Sequence, residues 1–151
     1  MKQDVPSLAD LVFLGGGHAQ VAAVKSFAMK PIHGLRLTIV TSNIRTPYSG
    51  MLPGYIEGIW RDEDIHINLA YLAQISNARL IVADCVGIDA EARQLLFADR
   101  PPLHFDLLSV NIGGQTDLAA IDGAVGHVLP VKPISRFQDG FRSFDKAGAP
   151  G

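Results

Sequence analysis

The sequence has one cysteine, Cys85, among 151 residues. A single thiol excludes an internal disulfide framework, a CxxC redox pair and a cysteine-based zinc site. No apolar run approaches the roughly 18–20 residues that span a bilayer. The first apolar stretch is short and runs into glycines, unlike a secretory signal. An excess of one charge is also missing. Thirteen Lys+Arg stand against fifteen Asp+Glu, a net charge of −2. No basic face is implied, which argues against nucleic acid as a partner. His18, His33, His66, His104 and His127 are scattered without metal-ligand spacing, so no metal site is expected. Neither a G-x-S-x-G elbow nor a Walker A lysine is present. Asp62, Glu63 and Asp64 read as a solvated acidic run rather than a catalytic cluster. What remains is the composition of a folded domain, 48% hydrophobic and 19% charged, which excludes a disordered tail. A cytoplasmic location is expected, with peripheral membrane association left open.

The length suits one domain over residues 1–151, with flexible ends at 1–9 and 146–151. Asp10–Leu14 is a short apolar strand that stops at Gly15-Gly16-Gly17. From His18 to Met29 the pattern is helical, with Val21, Val24 and Ala28 on one stripe and Pro31 and Gly34 ending it. Leu35–Thr41 alternates and is rich in β-branched residues, as a second strand would be. Strand, helix and strand in about 30 residues form a βαβ unit, which implies parallel pairing. Residues 42–60 are the least regular stretch. Asn68 is placed to cap a helix running to about Ser76, and 78–83 is a third buried strand. Gln94–Ala98, a turn at 99–102 and Leu103–Ile112 suggest a β-meander whose last member, Leu107–Ile112, ends at Gly113-Gly114. Ile134, Phe137, Phe141 and Phe144 have helical spacing near the end. The fold class is therefore α/β: a Rossmann-like parallel sheet with a β-meander.

The chemistry concentrates at the glycines. A strand that ends in glycines and opens a helix makes an anion site, because the first helical N–H groups are unpaired and the dipole favours negative charge. Gly15 allows the tight turn, and Gly17 allows a pyrophosphate to approach the backbone. The full dinucleotide fingerprint is G-x-G-x-x-G/A, and the sixth position here is Gln20. Gln20 then demands a wider helix–strand crossing or a side chain turned outward. The acidic residue expected at the end of the second strand is also missing. Ser42 and Asn43 stand there, either as weaker ribose partners or as a simple turn pair.

The stretches DLVFLGGGHAQVAAVKSF, TPYSGMLPGYIEG, FDLLSVNIGG and GHVLPVKPISRF resemble the FAD-binding half of the pyridine nucleotide-disulfide oxidoreductase superfamily. The resemblance is to its NADH dehydrogenase-like branch, with type II NADH dehydrogenases and sulfide:quinone oxidoreductases, some members being fused to selenide, water dikinase. It covers about residues 10–138. It implies a flavoprotein oxidoreductase that passes hydride from NAD(P)H through FAD to a quinone or another acceptor. By the same resemblance Gly15, Gly16, Gly17, His18 and Ala19 hold the FAD pyrophosphate, and Ser42 lies near the adenosine ribose. Tyr48, Ser49 and Gly50 lie on the approach to the flavin. Gly113 belongs to an Ala-Thr-Gly element in which Asn111-Ile112 replaces Ala-Thr. No catalytic residue is assigned. No second strand–glycine–helix unit for a nicotinamide nucleotide follows residue 115, so the domain is expected to be truncated. A non-catalytic dinucleotide-binding module, or a split subunit needing a nicotinamide-binding domain or partner chain, is the alternative. A homo-oligomer is left open.

Several residues carry two readings. His18 either assists a pyrophosphate or is a neutral surface imidazole. Tyr48 either stacks near a flavin or packs within its loop. Cys85 is read as a buried small hydrophobe rather than a reactive thiol. Phe137, Phe141 and Phe144 form a packing stripe or a surface for a missing part.

Overall fold

The computed structural model describes residues 9–148, the side chains of 145–148 excepted. Of the ends expected to be flexible, Ala9 lies in a strand and 146–148 in a helix. Residues 1–8 and 149–151 lie outside the described residues. The chain divides into two compact units, one ending at Ile112 and one beginning at Gly113.

The first unit is built on a four-stranded parallel sheet. Its strands are β1 (Ala9–Leu14), β2 (Leu35–Thr41), β5 (Arg79–Val82) and β9 (Leu107–Val110), in the order β5-β2-β1-β9. β1 pairs with β2 from Ala9↔Leu35 to Leu14↔Val40, and with β9 from Leu11↔Leu107 to Leu14↔Val110. Alternation of side chains along the strands divides the core in two. Phe13, Leu37 and Ile39 face α1 (His18–Met29) and α3 (Leu69–Ile75), where they meet Val24, Leu69 and Leu72. Val12, Leu14, Val40 and Ile81 face the other way and pack with Leu95 and Phe105. A sheet buried on both faces explains why its strands are nearly continuous in apolar residues.

The other elements sit in the connections. β3 (Arg45–Pro47) and β4 (His66–Asn68) form an antiparallel pair. Between them come a 3-10 turn, Ser49–Met51, and α2 (Leu52–Ile56). The Asn68 side chain caps α3, accepting from the N–H groups of Ala70 at 3.0 Å and Tyr71 at 3.2 Å. The meander is β6 (Cys85–Asp89), β7 (Gln94–Phe97) and β8 (Leu103–His104). It therefore gains β6 and loses its expected last member. Leu107–Val110 returns to the parallel sheet, because Asp106 locks onto the start of β1: its N–H donates to the Asp10 carbonyl at 2.9 Å, and its carboxylate accepts from the Asp10 N–H at 2.6 Å.

In the second unit Asp117 caps a 3-10 turn, Leu118–Ala120, and α4 spans Ile134–Gly148. The Phe137 and Phe141 rings stack at 5.8 Å, whereas Phe144 is 74% exposed. The helical spacing thus marks a packing pair followed by an outward ring. Among the described residues no helix is long and apolar enough to cross a membrane.

Candidate dinucleotide site

The glycine turn leaves the carboxyl end of β1 and is stitched to both neighbouring strands. The Gly15 N–H donates to the Val40 carbonyl at 2.7 Å, and the Gly17 N–H to the Asn111 carbonyl at 3.2 Å. The Asn111 N–H in turn reaches the Leu14 carbonyl at 2.8 Å. Gly15 has φ +100°, and a Cβ there would overlap the Asn111 backbone. Only glycine satisfies both conditions. A Cβ on Gly16 would press on Leu69 and Thr46.

Gly17 is the N-cap of α1 and has no side-chain cap of its own. The first turn of the helix carries no acidic residue. Among the described residues the N–H groups of Gly16, His18 and Ala19 have no acceptor. Three free donors at the positive end of a 12-residue helix form an anion cradle. His18 and Ala19 are exposed here.

The space beside Gly17 is taken within the protein: a Cβ there would overlap the Asn111 carboxamide. Of the two arrangements open to Gln20 the outward turn is not the one adopted: the side chain points inward and is only 4% exposed. Its Nε2 donates to the Leu14 carbonyl at 3.2 Å and the Ser109 carbonyl at 2.7 Å. The amide therefore joins α1 to β1 and β9 at the place where a third glycine would let them close on each other. Its Oε1 is buried without a partner. Neither Gln20 nor Asn111 was a candidate from sequence. The signal was present in both cases, as a carboxamide standing where a small residue was expected.

The loop after β2 comes to the turn. The His18 and Tyr48 rings meet edge to face at 5.4 Å. The Tyr48 N–H is held by the Ile65 carbonyl at 2.7 Å. Gly50 leaves room for the Tyr48 ring, which a Cβ would approach to 2.9 Å. Ser49 is exposed beside it. At the end of β2 the turn reading of Asn43 holds: its N–H donates to Thr41 Oγ1 at 3.2 Å, and its Oδ1 accepts from the Arg45 N–H at 3.0 Å. Ser42 is exposed between them. Gly113 opens the second unit, with φ +83° and open space around its Cα.

Other charged groups gather elsewhere. Asp10, His104 and Asp106 bring their ligand atoms within 4.8 Å of one another, a grouping that sequence spacing hid. Both Asp10 oxygens are already engaged by the Arg36 guanidinium, and Asp106 accepts the Asp10 N–H. The hydrogen bonds from Arg36 hold the Asp10 carboxyl below the usual carboxylate range, against a smaller opposing effect of burial. This network sits at the start of β1, the end of the strand away from the glycine turn. Arg61 likewise pairs with Glu63 and Asp64 on the surface, as a solvated acidic run should. Cys85 is half-buried, and its thiol points at the Gly87 carbonyl at 3.2 Å.

No family model matches the chain. Solved structures do share its fold. The sulfide:quinone oxidoreductase of Aquifex aeolicus superposes with a TM-score of 0.73 at 19% identity, over 95% of this chain and 33% of that one. NDH2 of Plasmodium falciparum, solved in complex with NADH, gives 0.71 at 15% identity, over 95% and 31%. A ferredoxin reductase from Rhodopseudomonas palustris gives 0.66 at 19% identity, over 91% and 35%. The chain thus spans about a third of the length of these structures. At such identities the likeness is one of fold alone, and that fold is the Rossmann-like α/β one expected from the sequence.

Proposed function

We propose that this chain is the FAD-binding portion of a flavoprotein oxidoreductase that passes hydride from NAD(P)H through FAD to a quinone or other acceptor. The observation that carries this reading is the cradle formed by the Gly16, His18 and Ala19 N–H groups at the start of α1. It lies at the carboxyl edge of a parallel sheet, where open α/β folds take their ligands. The residues present fit the diphosphate of FAD: the donors are free, and no first-turn carboxylate opposes an anion.

In this reading Gly15, Gly16, Gly17, His18 and Ala19 bind the diphosphate, and Ser42 serves the adenosine ribose. Tyr48, Ser49 and Gly50 border the approach to the flavin, with the His18–Tyr48 ring pair between the two regions. Gly113 follows β9 as a further backbone approach. A bound flavin supplies hydride acceptance and electron return, while the chain orients it.

The alternative, binding without turnover, is favoured by one observation. Between Gly113 and Gly148 the described residues form a 3-10 turn and one helix but no strand, so they offer no second βαβ unit for a nicotinamide nucleotide. Turnover then needs a nicotinamide-binding domain or partner chain. Reconstitution with FAD followed by gel filtration tests the proposal. Flavin absorbance bands are expected to travel with the protein, and a colourless protein fraction would overturn the reading. NADH:dye turnover by the FAD-loaded chain alone would overturn the alternative.

A further inference from the structure

The carboxamide of Asn111 lies directly against Gly17, the N-cap of α1. Its Cγ, Oδ1 and Nδ2 are the nearest atoms to the place a Gly17 Cβ would take. The side chain is only half-buried, and among the described residues nothing hydrogen-bonds it. Its backbone, by contrast, is fixed from both sides, by the Gly17 N–H and the Leu14 carbonyl. Two residues earlier, within β9, Ser109 is fastened to α1 by the buried Gln20 amide. A polar side chain with full hydrogen-bonding capacity is thus presented beside three free N–H donors, on a backbone with little freedom to carry it elsewhere.

We propose that Asn111 is a further ligand-contacting residue of this site. Its Nδ2 donates a hydrogen bond to the diphosphate of the bound dinucleotide, and Gln20 holds β9 so that the amide stays at the mouth of the turn. The inference rests on the reading of the turn as a dinucleotide site. It assigns Gly17 a second task, that of seating Asn111. A residue without a side-chain donor at position 111 removes one donor from the anion.

Calorimetric titration of FAD and of ADP into the full chain, Asn111→Ala and Asn111→Asp tests this. ADP has the diphosphate without the flavin. Asn111→Ala is expected to weaken both ligands by a similar factor of about ten, the effect of one hydrogen bond to an anion. Asn111→Asp keeps the shape and places a negative charge against the phosphates. It is expected to weaken both further, by a factor that shrinks as salt is raised. Unfolding midpoints of the three proteins, measured alongside, show that the fold is retained; the isosteric aspartate variant carries the test if the alanine variant unfolds. Unchanged affinity in Asn111→Ala would remove this inference and leave the FAD reading standing. Tighter binding would also overturn it, by showing that the amide obstructs the cradle. An unsubstituted chain that binds neither FAD nor ADP would remove the FAD reading, and this inference with it.

Discussion

The side chain of Gln20 donates to the backbone carbonyl of Ser109 at 2.7 Å, bridging 89 residues of sequence. A fingerprint glycine at this position would let helix and strand approach each other. Here the gap is kept and a polar side chain fills it. Gln20→Ala is therefore expected to lower unfolding free energy by about 2–4 kcal/mol, from lost hydrogen bonds and the void left behind. Gln20→Gly completes the G-x-G-x-x-G pattern, yet it is expected to be worse still, by about 1 kcal/mol for glycine within a helix. Chemical denaturation measures both. A glycine variant as stable as the parent would show that the amide bridge contributes nothing.

Two glycines with similar positive φ should respond differently to alanine. Gly15→Ala meets strain at φ +100° and a backbone collision with Asn111. It is expected to cost more than about 3 kcal/mol, since neither backbone can yield without breaking the sheet edge. Gly113→Ala, at φ +83° in open space, faces the conformational cost alone, about 1–2 kcal/mol. Comparison of thermal midpoints checks the ranking, and equal losses would contradict it.

The Arg36–Asp10 pair predicts a pH dependence. In the folded chain the Asp10 carboxyl is held below its ordinary range, chiefly by the hydrogen bonds from Arg36. The unfolded chain therefore binds the proton first as pH falls. The stabilisation is fully present above the unfolded carboxylate pKa of about 3.9, and is lost as pH drops through the lower folded value. Asp10→Asn should cost about 0.5–1 kcal/mol near neutral pH, a figure kept small because Arg36 is half-exposed. The gap to the parent should narrow as pH falls below about 4. Unfolding curves at several pH values test this, and a gap that widens toward acid would reverse the sign.

What could be read from the sequence was local. The α1 span follows from periodicity between Gly17 and Pro31, and the Asn68 cap from a carboxamide placed ahead of an apolar stripe. The parallel sheet followed from βαβ spacing. The elements that escaped depend on distant partners. β3 and β4 have three residues each and form only by pairing with one another, with Pro47 inside one of them. α2 contains Pro53 and Gly54, which read as breakers. β6 contains Gly87 and a register shift beside Cys85, so its alternation is disturbed. Leu107–Val110 looked like the end of a meander because nothing local says which sheet a strand will join. The same limit applied at the site. The turn and helix start over Gly15–Ala19 were legible from the sequence, whereas Gln20 and Asn111 acquire their places through contacts across most of the first unit.

The position of β1 between β2 and β9 also bears on when the site is made. One flank of β1 is supplied within a single βαβ unit. The other arrives with the Asp10–Asp106 contact, across 96 residues. Closing so long a loop is entropically costly and slow compared with forming local structure. During synthesis the glycines emerge from the ribosome before the strand that shapes them, which comes last in this unit. The glycine turn therefore takes its final shape at the closing stage of folding, and a nascent chain that has not reached Asn111 holds a glycine motif without the wall that Asn111 builds beside it.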